Sequence, residues 1–398
     1  MLQQIHVLER MAFKGLKIRS YKAQIDRDRV EELGRRCEVG PADQRVFFVD
    51  TMGDPICRVR NCPLYKMLVA ELHNEIVGVI QGTIKVVTLH HRPSKDGAKV
   101  GYILGLRVSH FHRQKGIGSS LVQRLQEWFV ANQVDYAYMA TEKDNLASVN
   151  LFVNKLGFVK FRTPSILVQP VKTHSVYNLS PSVEIAKLKI EQAEFLYKKF
   201  MASAEFFPHD IDKILCNKLS LGTWVAYPKG HAKLSEFGLR GRVPSSWAML
   251  SVWNSGGLFK LRMERGTSSC FLYEMYSRAI RRLLPCFKIT ELPDFFDPFG
   301  FYFLYGILHE GPSSGKLVQT LCKFVHNMAT MAEGCKVIVT EVGGGDSLKV
   351  HIPHWKLLSC PEDLWCVKAL KKEERSSIDE LTKTPLKSSA LFVDPREV

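Results

Sequence analysis

The stretch HFHRQKGIGSSLVQRL, His110 to Leu125, decides how the rest of the chain is read. It follows YILGLRV (Tyr102 to Val108), an apolar run of strand length, and it opens a helix whose Ile117, Leu121, Val122, Leu125, Trp128 and Phe129 share one face. The first turn of a helix carries backbone N–H groups without partners and the positive end of the dipole, so an anion can be gripped there by main chain alone. Gly116 and Gly118 remove side chains that would block close approach, while Arg113 and Lys115 add positive potential. The expected anion is a phosphate or pyrophosphate.

Working outward, LKIRSY (Leu16 to Tyr21) alternates as a strand, and Asp26 to Cys37 places Val30, Leu33 and Cys37 at helical spacing, with Asp26 or Asp28 near the cap. KMLVAEL (Lys66 to Leu72) and EIVGVIQGTIKVV (Glu75 to Val87) flank His73 and Asn74 as a tight hairpin. HHRPSKDGAK is a polar connection. YAYMAT (Tyr136 to Thr141) is a strand, DNLASVNLFVNKL a helix running to Gly157, and FVKFRTPSILV one or two closing strands. The order β-α-β-β-β-α-β-α-β predicts an α/β fold with a mixed sheet and helices on its faces.

Beyond Pro170 the order recurs in blurred form. VEIAKL and IEQAEFLYKKF give strand then helix, SWAMLSVWN and LFKLRM a hairpin, FYFLYGIL a strand, GKLVQTLCKFVHNMA a helix and KVIVTEV a strand. Leu317-Val318-Gln319 echoes Leu121-Val122-Gln123, and Thr340-Glu341 echoes Thr141-Glu142, as in a diverged internal repeat. Gly311, Pro312 and Gly315 replace RQKGIG, so the second copy is expected to have lost the anion. The expected division is a flexible extension over 1–14, a first unit over 15–172, a diverged second unit over 173–370 and a polar tail over 371–398.

A chain of 398 residues exceeds what one core usually serves, which fits two units. No apolar run reaches the roughly 20 residues of a membrane helix and no signal peptide is evident, so an intracellular protein, nuclear or cytoplasmic, is expected. The ten cysteines include no CxxC pair and read as reduced core thiols. His351-x-x-His354 and His110-x-His112 lack companion ligands at known spacings, so no metal site is expected. The formal charge of +15 favours anionic partners. With no basic helix, zinc spacing or aromatic-basic ladder, direct nucleic-acid binding is not expected.

R-x-x-G-x-G after a strand and opening a helix, then a strand, then N-x-x-S-x-x-L-F before Gly157-Phe158, resembles the GCN5-related N-acetyltransferase (GNAT) superfamily. CEVGP, GDPICRVR, FRTPSILV, EFFPHDID, NKLSLGT, IPHWKLLSC, EDLWC and FVDPRE extend the resemblance over both halves to the plant HOOKLESS-type acetyltransferase-like proteins. The first unit is then a GNAT fold and the second a diverged GNAT-like one.

That resemblance implies acetyl-coenzyme A between YILGLRV and YAYMAT. Its pyrophosphate would lie on main chain of Arg113, Gln114, Lys115, Gly116, Ile117, Gly118 and Ser119, and its pantetheine arm would run along Leu106, Arg107 and Val108. Asn145, Ser148 and Phe152 would flank the arm and sulfur. The Leu106 amide would face the thioester carbonyl, where a hydrogen bond stabilises the oxyanion formed on attack by an amine. The first-strand position that holds a glutamate base in histone-acetylating relatives is Tyr102 here, and the tyrosine that often protonates the thiolate is Phe152. One extra residue also precedes Gly157-Phe158. Glu142 is the leading base candidate, with Tyr102, Tyr138 and His112 behind it.

The resemblance further implies an amine acceptor, a protein lysine or N-terminus or a small amine, and a role in ethylene- and auxin-linked differential growth such as apical hook formation. A catalytically weak, acetyl-coenzyme A-binding regulatory protein is the alternative. A cationic acceptor would need acidic groups, for which Glu205, Asp210, Asp212, Asp294 and Asp297 are candidates.

Overall fold

The computed structural model describes residues 15–37, 47–89, 97–171, 176–230, 243–263 and 293–398, except 357, 361, 372, 375–377, 379, 380 and 383–390. The extension over 1–14, most of CEVGP and the loop His90 to Asp96 fall outside them.

The N-terminal half runs β1 (Lys17–Ser20), α1 (Ala23–Arg36), β2 (Phe47–Asp50), β3 (Leu64–Leu72), β4 (Glu75–Val87), β5 (Ala98–Val108), α2 (Ile117–Ala131), β6 (Tyr136–Glu142), α3 (Leu146–Val149), which continues as a π-helical turn Asn150–Lys155, and β7 (Val159–Arg162). His73 and Asn74 both take positive φ, 47° and 66°, giving the two-residue turn whose twist matches a hairpin. α1 begins three residues before the expected Asp26. That aspartate instead sits buried in the first turn, where its carboxylate accepts from the Lys22 N–H at 2.8 Å and pairs with Arg19 at 2.6 Å.

The C-terminal half runs β8 (Ser165–Pro170), β9 (Val183–Lys187), α4 (Ile190–Phe200), α5 (Ile211–Leu215), β10 (Ser220–Pro228), β11 (Trp247–Asn254), β12 (Lys260–Met263), β13 (Gly300–Glu310), α6 (Ser314–Thr330), β14 (Cys335–Val342) and β15 (Asp363–Ala369). The expected hairpin of SWAMLSVWN with LFKLRM does not form. β12 pairs with β2 of the other half, and β11 pairs with β10 and β13.

Two mixed sheets result, in orders β1-β3-β4-β5-β6-β15-β7 and β8-β14-β13-β11-β10-β9. Each is antiparallel except for one parallel pair, β5 with β6 and β13 with β14. Each also contains a strand from across the expected boundary at residue 172: β15, which follows it, lies beside β6, and β8, which precedes it, lies beside β14. Only Thr163 and Pro164 separate β7 from β8, yet the two strands do not pair: β7 lies beside β15 in the first sheet and β8 beside β14 in the second, so the chain passes directly from one sheet to the other.

The largest core lies between the sheets, with Tyr102, Tyr138, Trp247, Trp253, Phe303 and Trp365 facing one another, while α2 and α6 cover the outer faces over separate apolar clusters. Burial of each such aromatic contributes on the order of 2–3 kcal/mol. The expected polar tail is corrected at its end. Leu391, Phe392 and Val393 are buried in this core, and the charges after them are all engaged. Lys85 reaches Asp394 at 3.1 Å and Glu397 at 2.8 Å, and Arg396 bridges Asp394 and Asp210, both at 2.7 Å. A segment that buries three apolar side chains and pairs its charges on both halves acts as a clasp.

Candidate active site

β5 and β6 pair in parallel only from Val100↔Tyr136 to Ile103↔Met139 and then diverge. The cause is a bulge. β5 slips register against β4 between Leu104 and Arg107, and Gly105 takes φ +62°, a conformation that leaves Gly105 and Leu106 without register partners. The gap opens into a cavity of about 980 Å³. Leu104 to Val108 form one wall, Met139 and Ala140 the other, and the turn before α2 closes one end.

At that end Gly116 caps α2 in the left-handed conformation, φ 81°, with no side chain bonded to the first turn and no acidic residue in it. The first-turn amides therefore face the cavity with only main chain to offer. Arg113, Gln114, Gly116, Ile117, Gly118 and Ser119 line it, and the Arg113 guanidinium is tied back to the Val108 carbonyl at 3.3 Å. Lys115 is exposed and lies outside the lining. The two glycines differ. Gly116 needs its positive φ, whereas a Cβ on Gly118 would meet Leu151 at 3.5 Å and Leu106 at 3.9 Å, ordinary contacts.

Asn145 and Ser148 also line the cavity, and they touch each other, since the Asn145 carboxamide caps α3 by accepting from the Ser148 N–H at 3.1 Å. Phe152 lines it from within the π-helical turn, its ring edge-on to Phe158 at 5.2 Å. The widened turn accounts for the extra residue before Gly157-Phe158: a π-bulge absorbs one residue without tilting the flanking chain.

The structure does not bring Tyr102 or Glu142 into this lining. Tyr102 is buried on the inner face of the sheet, stacked on Tyr138 at 4.8 Å, and Tyr138 donates to Glu397 at 2.6 Å. Burial raises both phenols' hold on their protons, and the Glu397 charge adds to it. Glu142 ends β6 two residues past the cavity-lining Ala140, paired across the strands with Asp363. Its carboxyl is raised above the ordinary range by burial and then by Asp144. His112 lines the cavity, and its buried Nδ1 has no partner.

Residues that the motifs did not flag also contribute: Cys37, Val49 and Arg58 reach the cavity from α1, β2 and the turn after it. Arg58 stands in GDPICRVR, a stretch without periodicity, so only its two flanking charges and Pro55 hinted at anything beyond a loop. Two of the five acidic candidates for a cationic acceptor are taken up by ion pairs. Glu205 is buried against Arg162 at 2.5 Å, and Asp210 is bonded to Arg396. Among the described residues, no helix is long and apolar enough to cross a membrane.

An open cleft between two splayed parallel strands, closed at one end by free helix amides, suits an elongated ligand with an anionic head. Comparison with known proteins agrees. The model of the acetyltransferase (GNAT) family matches residues 30–158. The "Probable N-acetyltransferase HLS1" of Arabidopsis thaliana is 46% identical, over 96% of this chain and 99% of that protein. The "Acetyl transferase GW6a" of Oryza sativa subsp. japonica is 33% identical, over 96% and 97%. Among solved structures, Saccharomyces cerevisiae N-myristoyltransferase with bound myristoyl-CoA shares the fold at TM-score 0.55 and 11% identity, over 89% of this chain and 79% of that one. A tandem GNAT protein from the clavulanic acid biosynthesis pathway does so at 0.51 and 10%, over 89% and 99%. The chain belongs to the GNAT acetyltransferases, enzymes that carry an acyl group from a coenzyme A thioester to an amine, and it is built as two GNAT-like domains in tandem.

Proposed function

We propose that this protein is an N-acetyltransferase that takes its acyl group from acetyl-coenzyme A and passes it directly to a primary amine, with the division into units at 15–172 and 173–370 and one working cleft in the first. The observation that carries this is the 980 Å³ gap between β5 and β6, closed at one end by the uncapped amides of α2. The thioester supplies an activated acyl carbon; the protein supplies placement and charge.

Main-chain N–H groups from Gln114 to Ser119 hold the diphosphate, Arg113 adds a positive field, and the amides freed by the bulge at Gly105 and Leu106 serve the thioester arm and its carbonyl oxygen. Asn145, Ser148 and Phe152 border the arm. An ammonium of pKa near 10.4 needs about 4 kcal/mol to shed its proton at neutral pH. Glu142, its carboxyl raised by burial, takes that proton through water, because it stands off the cavity lining. Phe152 has no proton to give, so the departing thiolate is protonated by solvent. An intracellular role in hormone-linked differential growth is part of this proposal and rests on the HOOKLESS-type motifs of the sequence alone.

The test is the melting temperature of the full chain with acetyl-coenzyme A. It should rise on binding, and Gly116→Trp with Gly118→Trp should abolish the rise. A double variant that still responds would place the diphosphate elsewhere. Glu142→Gln should lower kcat with little change in cofactor affinity; unchanged turnover removes it as the base. A persistent melting shift without turnover of any amine would favour the regulatory alternative.

A further inference from the structure

A second chamber, of about 300 Å³, lies between α1, the β2–β12 ribbon and β4, and it meets the first at Val49, Arg58, Gly105 and Arg107, which line both. Its wall carries four guanidinium groups, of Arg35, Arg58, Arg107 and Arg262, against the two carboxylates of Glu31 and Asp50. Most of these have partners. Arg35 pairs with Glu32 at 3.0 Å, Arg262 lies over the Phe48 ring, Glu31 accepts from the Thr51 hydroxyl at 3.1 Å and Asp50 from the Met52 N–H at 2.9 Å.

Arg58 and Arg107 are different. Among the described residues neither has a carboxylate within ion-pair distance. Arg58 lies over the Phe259 ring and reaches one acceptor, the Glu397 carbonyl at 3.5 Å, while its buried Nε has none. Burial, and then the like charge of Arg58, weaken the hold of Arg107 on its proton. Beside them Gln81, 8% exposed, donates to the Pro55 carbonyl at 2.8 Å, while its Oε1 has no partner. Two guanidinium groups facing one cavity, with no carboxylate in ion-pair distance of either, repel each other and forgo solvation. Such a pair is stabilised when a carboxylate or phosphate arrives, for which the planar fork is the matching donor.

Given the acyl-transfer reading of the first chamber, we propose that the acceptor is a small primary amine bearing its own carboxylate or phosphate, which Arg58 and Arg107 take up in the second chamber while the amine waits at Gly105. Gly105 is where the chambers meet, and its Cβ-free backbone keeps that passage open. A chamber of this size suits a molecule of amino-acid dimensions rather than a folded tail. The charge of +15 agrees, since it draws anions in and repels lysine-rich peptides.

The test uses the full chain and four amines: glutamate for the carboxylate source, phosphoethanolamine for the phosphate source, neutral-tailed ethanolamine and dicationic cadaverine. Each is titrated by calorimetry with and without coenzyme A, and offered as acceptor with acetyl-coenzyme A. One of the anionic amines should exceed ethanolamine and cadaverine in kcat/KM by about 100-fold, and Arg107→Gln or Arg58→Gln should erase about that factor from the ratio. Arg107→Met guards against misfolding, because removing an uncompensated charge should raise the ligand-free melting temperature. Equal use of all four amines, better use of a lysine-rich peptide, or a ratio untouched by the arginine variants overturns the proposal. Coenzyme A binding without either anionic amine sinks this proposal alone; anionic amines binding without coenzyme A sinks only the assignment of the first chamber.

Discussion

The two halves build the same device and finish it differently. In both, a parallel pair runs for a few residues and then parts at a glycine of positive φ on the first strand: Gly105 at +62° on β5 and Gly306 at +58° on β13. In the first half the parting leads into 980 Å³ of space. In the second it leads into about 60 Å³, because Leu391, Phe392 and Val393 of the same chain fill the gap beside Tyr305 and Glu341. The helix ends differ in the same sense. α2 opens with bare amides at Gly116, whereas at the start of α6 Ser314 bonds both His309 at 2.8 Å and the Gly311 carbonyl at 2.7 Å. A Cβ on Gly315 would fall 2.4 Å from the His351 ring, so that ring already covers the first turn. A fold can be duplicated without its cleft, since the cleft depends on what is kept out of it.

The largest effect is expected from removing the side chain that fills the second gap. Phe392 is 1% exposed, edge-on to Phe207 and Tyr305. Phe392→Ala should cost about 3 to 5 kcal/mol of stability, read by denaturant unfolding. Coenzyme A should still bind at one per chain in the variant, because the covered helix end of α6 remains. A stoichiometry of two would mean that the tail alone closes the second cleft.

A smaller effect comes from the carboxylates where the sheets meet. Burial first, then Asp363, pushes the Glu341 carboxyl up to about 8; Asp363 is itself pushed up to about 7 by burial, with Glu142 adding to it. Both folded-state values lie above the unfolded ones, so their contribution is complete below about pH 4 and is lost as pH rises toward 8. Asp394, held low by Arg396 and Lys85 against its burial, contributes equally throughout this window and does not mask the trend. Stability should therefore fall between pH 6 and pH 9 by on the order of 1–2 kcal/mol, and Glu341→Gln should flatten the curve. A flat profile in the parent chain would show that these groups are solvated and the junction between the halves loose.

Local pattern carried the first half well. His73-Asn74 announced a turn because two positive-φ residues between alternating runs leave few other choices, and RQKGIG announced an uncapped helix end. Whatever depended on distant partners stayed hidden. β15 reads DLWCVKA, apolar enough for any core strand, and nothing in it says that its neighbours would be Tyr136–Glu142 and Val159–Arg162. β2 and β10 were missed for the same reason. Tyr102 and Arg107 sit on a strand read correctly, yet they present different faces because the bulge at Gly105 lies between them, a one-residue slip that turns later side chains to the opposite side. The π-helical turn was visible only as an extra residue. The second-half plug came from a stretch whose preceding residues are polar, and three apolar letters are too few to outweigh that composition.

The least effect, and the finest test of the first cleft, separates its two glycines. Gly116 is required by conformation, so Gly116→Ala should cost about 1 kcal/mol of stability and misdirect the amides, lowering coenzyme A affinity by roughly tenfold. Gly118 is helical, with room for a methyl beside Leu151 and Leu106. Gly118→Ala should hold stability within about 0.5 kcal/mol, because the added helix propensity offsets the crowding, and should change affinity by less than threefold. Affinity measured for both by calorimetry ranks backbone shape against empty space as the reason for each glycine. Were Gly118→Ala the more damaging, the ligand would have to approach that helix face more closely than the diphosphate assignment allows.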